Sequence, residues 1–176
     1  DLSADYRFIK LEEREGWYPG EHLSPELCQV AGYGMPELYR KDIKNAKLIA
    51  NPGCYPTASI LSLYPGIKEN MLQPAGIHIA SASGVSGAGK NAKLPFHHSE
   101  LDQNYFAYRV GSHQHSPEIN SVLSRVTGRI VTSCFVPHVL PIRRGILSTI
   151  YCQKTEETTL QKLWDVYRSY YENEPF

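Results

Sequence analysis

The octapeptide Asn51-Pro-Gly-Cys-Tyr-Pro-Thr-Ala58 lies between two short apolar runs, Lys47-Leu-Ile-Ala50 and Ser59-Ile-Leu-Ser-Leu63. An apolar run, a Pro-Gly break and a second apolar run read as strand, sharp turn, helix. That reading commits the chain to a fold with both strands and helices and puts Cys54 at the corner. A cysteine at a helix N-terminus feels unpaired backbone N–H groups and the positive end of the helix dipole, which lower its pKa and favour thiolate. Gly53 permits close backbone approach, and the same N–H groups can stabilise an oxyanion on an attacked carbonyl. From spacing alone, a small buried hydrophobe at a strand end fits equally well.

The rest of the chain supports a mixed architecture. Ser24-Pro-Glu26 and Met35-Pro-Glu-Leu38 open short helical stretches. Leu48–Ala50, Gly76–Ser81, Phe106–Val110, Arg129–Val136 and Gly145–Cys152 have strand character, the last two separated by Pro137-His-Val-Leu-Pro141. Helices are expected over residues 56–64, from Ser116-Pro117-Glu118 with an apolar face of Ile119, Val122, Leu123 and Val126, and from Thr158 or Thr159 to about Tyr170. Residues 90–104 form an excursion with weak periodicity. The expected fold class is α+β, a mixed open sheet with helices on one face.

The 176 residues, 41% hydrophobic, suffice for one domain with a real core. Net charge is zero, so no basic field invites nucleic acid. No apolar run reaches the roughly 18 residues of a transmembrane span. The 12 tyrosines are scattered and name no partner. The four cysteines, Cys28, Cys54, Cys134 and Cys152, form no C-x-x-C, which argues against structural zinc; two disulfides are formally open, and reduced thiols in a cytoplasmic protein fit better. The chain begins at Asp1 without methionine and is read as one domain cut from a longer enzyme.

A nucleophilic thiol needs a proton partner. The candidates are His113 and His115, which point the same way if the segment is extended. Glu118, three residues on, is placed to orient an imidazole. The rival reading is a metal site, with a third ligand from His97, His98, Glu100 or His138. In Ser83-Gly-Val-Ser-Gly-Ala-Gly89 three glycines allow backbone amides to point inward as an anion cradle, with Lys90 adding charge. It matches neither the Walker pattern nor Gly-x-Gly-x-x-Gly. Arg143 and Arg144 are a possible bidentate clamp for carboxylate or phosphate.

Together these stretches resemble the N-acetyl-gamma-glutamyl-phosphate reductases, relatives of the aspartate-semialdehyde and glyceraldehyde-3-phosphate dehydrogenases. The likeness rests on Asn51–Ala58, Asp1-Leu-Ser-Ala-Asp-Tyr-Arg-Phe8, Ser83–Gly89, His113-Gln-His-Ser-Pro-Glu-Ile119 and Pro137-His-Val-Leu-Pro-Ile-Arg-Arg-Gly-Ile146, in the family's order. It implies a glyceraldehyde-3-phosphate dehydrogenase-like C-terminal domain over residues 1–176, catalytic and dimerising, without the NADP-binding Rossmann domain and the last C-terminal segment. It implies NADPH-dependent reduction of N-acetyl-L-glutamyl 5-phosphate to the 5-semialdehyde, in arginine biosynthesis. Cys54 would form a thioester, hydride would reach its carbon, and the resulting thiohemiacetal would collapse to the aldehyde. His115, with His113 close behind, would move the proton and Glu118 would orient it. Ser83, Gly84, Ser86, Gly87, Ala88 and Gly89 would lie by the cofactor, and Asn51, Arg109 and Arg144 by the substrate. The isolated chain is expected to bind no cofactor, to be incomplete for turnover and to self-associate as a dimer or tetramer. The alternatives are a cysteine acyltransferase or hydrolase, and a purely structural dimerisation module.

Overall fold

The computed structural model describes residues 1–89 and 94–176, so the expectation for Lys90 lies outside the described residues. A four-stranded sheet of β3 (Ile77–Ser83), β4 (Phe106–Ala107), β5 (Ser133–Val139) and β6 (Ile146–Tyr151) runs in the order β4-β5-β3-β6. The central pair β3 and β5 is parallel, and both edges are antiparallel. A second sheet pairs β1 (Gly32–Tyr33) with β2 (Ile49–Ala50) in parallel. Asp1 extends it on the far side of β2: its backbone nitrogen donates to the Ile49 carbonyl at 2.7 Å, and the Asn51 N–H donates to the Asp1 carbonyl at 3.0 Å. The longer helices are α2 (Pro36–Asn45), α3 (Cys54–Lys68), α5 (His115–Thr127) and α6 (Leu160–Tyr171), with short α1 (Pro25–Cys28) and α4 (His98–Leu101).

Alternation along the strands sorts the sheet into two unlike faces. Ile77, Ile79, Ser81 and Ser83 point inward, beside Phe135 and Val139 of β5. Against this face α3 and α5 bury Ile60, Leu63, Ile67, Ile119, Val122 and Leu123, one stripe at helical spacing from each helix. The outer face carries His78, Ala80 and Ala82, registered with Cys134, Val136 and His138 on one side and Tyr151, Thr149 and Leu147 on the other. Leu147 is 70% exposed and Tyr151 65%.

Helix α3 contains Pro65, which cannot donate to the Leu61 carbonyl one turn back. The Tyr171 hydroxyl of α6 donates to it instead at 2.7 Å, so a break in one helix becomes the docking point of another. Helix α5 ends at Gly128, whose φ of 71° closes the left-handed cap. In α6, Thr159 Oγ1 accepts the Lys162 N–H at 3.2 Å, the expected cap.

The element boundaries differ from the sequence reading in instructive places. Helix α3 begins at Cys54 rather than residue 56, because Gly53 is already extended (φ −64°, ψ 155°) and serves as the N-cap. The strand after Phe106 stops at Ala107, since Arg109 takes a left-handed φ of 47°. Strand β5 starts later and runs through Pro137 to Val139, so Pro137-His-Val is strand and not the separating turn. Proline lacks a donor but keeps its carbonyl, which accepts from the Tyr108 N–H at 3.0 Å. Strand β1 carries no alternation or length to announce it, and the sequence reading missed it.

Candidate active site

Cys54 is the first residue of α3, where the chain leaves β2, and its side chain reaches solvent. The α5 N-terminus approaches the same corner. The His115 ring lies over Gly53 so closely that a Cβ on residue 53 would meet Nε2 at 2.5 Å and Cε1 at 2.8 Å. Glycine is therefore required here by a ring and not by backbone strain. His113 packs beside it, ring centroids 4.8 Å apart, inside an aromatic surround of Tyr55, Tyr108 and Phe135 whose centroids lie 5.3–5.7 Å from its own. The segment joining the histidines is not extended, since Gln114 is helical (φ −59°, ψ −16°). The rings meet because α5 starts between them, not because alternation aligns them.

The two imidazoles are bonded differently. His113 Nδ1 accepts the His115 backbone N–H at 3.1 Å, which assigns the His113 proton to Nε2. His115 Nδ1 is buried with no hydrogen-bond partner among the described residues, and Nε2 is the ring atom closest to where a Cβ of residue 53 would stand. Burial, with positive charge nearby, lowers the His113 pKa to about 4; burial, then His113 and Arg7, lowers that of His115 to about 3. Both rings are thus neutral at pH 7.

Burial also pushes the Cys54 thiol up, against the downward pull of the Tyr55 and Cys54 N–H groups and Arg7. The direction is opposite to the expected lowering: the helix terminus acts as expected, but burial around the partly exposed sulfur is the larger cause. The resting pair is thiol and neutral imidazole.

Glu118 does not orient either histidine. Its carboxylate, fully buried, accepts the Gly53 N–H at 3.0 Å and the Tyr33 hydroxyl at 2.8 Å on Oε1, and pairs with Arg7 at 3.1 Å on Oε2. One turn into α5, residue 118 points below the rings and into the cysteine turn. Gly53 N–H is therefore not free for an oxyanion.

A cavity of about 360 Å³ opens over the corner, lined by Cys54, Tyr55, His113, His115, Tyr108 and Arg109, and closed by Ser83, Gly84, Gly87, Ala88, Phe96 and Val139. Its size suits a small metabolite. The Ser83–Gly89 loop is a 3-10 turn whose amides are largely spent inside the protein. Gly84, Val85 and Ser86 donate to the carbonyls of Gly145, Ile142 and Arg143, and Gly87 and Gly89 donate within the loop. The expected cradle of inward amides is not formed; what the loop offers the cavity is a wall of Ser83, Gly84, Gly87 and Ala88.

Residues 54–176 match the semialdehyde dehydrogenase, dimerisation domain family. The chain belongs to that family. Over all its residues, this dimerisation-domain chain is similar to the N-acetyl-gamma-glutamyl-phosphate reductases of Clostridium botulinum (strain Eklund 17B / Type B), 45% identical, and Pelobacter propionicus (strain DSM 2379 / NBRC 103807 / OttBd1), 48% identical. Each match covers the whole chain and 51% of the relative, so the chain spans about half the length of the curated relatives it matches. Aspartate semialdehyde dehydrogenase II from Vibrio cholerae shares the fold at TM-score 0.62 and 13% identity, over 81% of this chain and 50% of that one. The enzyme from Francisella tularensis does so at TM-score 0.60 and 9% identity, over 81% and 52%.

The dimerisation-domain fold gathers Cys54, His113, His115, Ser83, Gly84, Gly87, Ala88 and Arg109 around one cavity and leaves the other candidates outside. Ser86 and Gly89 do not line it. Asn51 holds its side-chain amide toward the Pro52 carbonyl at 3.4 Å. Arg144 is exposed and contributes its backbone, which packs on Gly84, rather than its guanidinium. Among the described residues no three His, Cys, Asp or Glu side chains converge as a metal site would require. No described helix is long and apolar enough to cross a membrane. Sequence reasoning missed Arg7, Tyr33, Tyr55 and Tyr108. Arg7 and Tyr55 stood inside the motifs that carried the family likeness, but nothing in their spacing tied them to the cysteine.

Proposed function

We propose that this chain is the thiol-bearing half of an enzyme that reduces N-acetyl-L-glutamyl 5-phosphate to N-acetyl-L-glutamate 5-semialdehyde with NADPH, in arginine biosynthesis in the cytoplasm. The observation that carries the reading is the His115 ring seated on Gly53 beside Cys54 in one cavity. The names of the relatives supply the substrate.

His115 is the base and His113 its support. His113 Nδ1 is committed to the His115 backbone, whereas His115 Nε2 faces the turn. The thiol proton passes to His115 Nε2 as the sulfur bonds to the acyl carbon; the carbon–oxygen bond to phosphate breaks and a thioester remains. Because thiol and imidazole are both neutral at rest, transfer accompanies attack. The substrate's negative charge favours the imidazolium that results. Arg109 on the cavity wall, its guanidinium 3.3 Å from Gln114 Oε1, is the anion contact.

The nicotinamide end of NADP(H) would lie against the cavity wall formed by Ser83, Gly84, Gly87 and Ala88, and 360 Å³ has no room for the whole dinucleotide. When bound, NADPH would supply the hydride that the thioester carbon needs. No glycine-rich dinucleotide fingerprint occurs in the sequence, so the isolated chain stops at the acyl-enzyme.

Self-association uses the outer sheet face, where Leu147 and Tyr151 stand exposed. Light scattering of the purified chain should show a dimer or larger species and Leu147→Glu a monomer; a monomeric wild type at high concentration overturns that surface.

The deciding experiment mixes full-length enzyme with the acyl phosphate and NADPH and follows NADPH absorbance and phosphate release together. Equal amounts of NADPH consumed and phosphate released support the reduction. Phosphate release without NADPH loss makes the enzyme a hydrolase or transferase.

A further inference from the structure

Two main-chain groups of the turn before Cys54 are held by one buried ion pair. Arg7 Nε donates to the Asn51 carbonyl at 2.7 Å while its NH1 meets Glu118 Oε2 at 3.1 Å. Glu118 Oε1 takes the Gly53 N–H at 3.0 Å and the Tyr33 hydroxyl at 2.8 Å. The pair thus grips residue 51 by its carbonyl and residue 53 by its amide, one residue short of the nucleophile. The carboxylate belongs to α5, which also carries His115 three residues earlier. Arg7 and Tyr33 come from residues 1–53, upstream of the stretch that matches the dimerisation-domain family.

We propose that Arg7 and Tyr33 are positioning residues for Cys54, acting through Glu118 to fix the Asn51–Gly53 turn against the His115 ring. A buried ion pair is a weak source of net stability, because desolvation offsets its Coulomb attraction. Its value here is geometric. The guanidinium fork spans two acceptors at fixed separation, and a carboxylate accepting three donors has little freedom left. With no Cβ at residue 53, the ring and the turn are in contact, so any drift of the turn alters the approach of sulfur to Nε2. The distance between base and nucleophile is therefore set from outside the matched domain.

The proposal rests on the assignment of His115 as the base, and its test separates the two. Iodoacetamide labelling of this chain at pH 8, read by mass spectrometry, gives separate rates for Cys54 and for Cys134 on the exposed sheet face. Arg7→Lys keeps the charge but not the fork. Its Cys54 rate should fall about tenfold, as expected for a misplaced reacting pair, while the Cys134 rate and circular dichroism stay as in wild type. Adding His115→Asn to Arg7→Lys should cost less than about a further twofold, since coupled residues are not additive. A wild-type Cys54 rate in folded Arg7→Lys, or two effects that multiply in full, overturns the proposal. If Arg7→Lys does not fold, Tyr33→Phe decides: a Cys54 rate about threefold slower supports positioning, again as misplacement, and an unchanged rate overturns it. If His115→Asn alone leaves the rate unchanged, the base assignment fails, while slowing by Arg7→Lys still supports the turn clamp.

Discussion

Gly53 and Gly84 both flank the Cys54 corner, Gly84 in the cavity wall and Gly53 buried beneath the His115 ring, both at turns that join a strand to a helix, and their missing side chains serve different ends. At Gly53 the space is filled by a ring, with His115 Nε2 2.5 Å from where a Cβ would sit. At Gly84 it is filled by main chain, with the Arg144 N at 2.7 Å and the Arg143 carbonyl carbon at 2.9 Å. A ring can rotate away, and its loss is felt in the chemistry. Main chain bonded into a turn cannot move without disturbing the β3–β6 register, and its loss is felt in the fold. A glycine near a cavity thus does not identify a ligand cradle; the atom each one makes room for decides what it is for.

The largest losses are expected at the corner itself. Cys54→Ser should lower kcat/KM of the full-length enzyme by about 10⁴-fold, the scale for loss of a nucleophile, with an unchanged melting temperature. His115→Asn should cost about 10³-fold, within the range for a positioned base, and His113→Asn about tenfold on the same scale. Equal losses at the two histidines would contradict their different bonding. Gly53→Ala should lower kcat by about 10²-fold by displacing the ring, while urea denaturation detects a change of about 1 kcal/mol. Gly84→Ala should reverse that order of importance, destabilising the chain by about 3 kcal/mol in the same urea measurement.

A further test concerns pH. The folded-state values of about 4 for His113 and about 3 for His115 lie below the ordinary 6.5. Between these values the unfolded chain binds more protons than the folded one, so stability rises with pH up to about 6.5 and is level above it. Glu118, pushed up by burial despite Arg7, opposes this slope wherever its own raised value extends. Urea midpoints measured from pH 4 to pH 7 should therefore increase, and His113→Asn should flatten the increase. A midpoint independent of pH in wild type would show that the rings are not buried as neutral groups.

Much of this was legible along the chain. The strand–turn–helix at Cys54, the strand at Gly76, the apolar face of α5 and the Thr159 cap are local matters of periodicity and capping, and the structure has them all. The corrections share one physical cause. Glu118 was assigned to His115 by its distance in sequence, yet a helix turn sends it to Arg7, Tyr33 and Gly53, residues 65 to 111 positions away. The Ser83–Gly89 amides were assigned to a ligand by composition, yet three of them are taken by carbonyls at Ile142, Arg143 and Gly145.

By itself the sequence determined the α+β class, the placement of a thiol at a helix start and the histidines that could serve it, because those depend on local pattern and residue chemistry. Tertiary structure alone decided that burial at the corner pushes the Cys54 thiol up rather than down, that the His115 ring rather than the His113 ring lies over Gly53, and that Arg7 and Glu118 hold the turn between them. Solvation and hydrogen bonding depend on which distant atoms arrive at a point in space, and spacing along a chain does not encode that arrival.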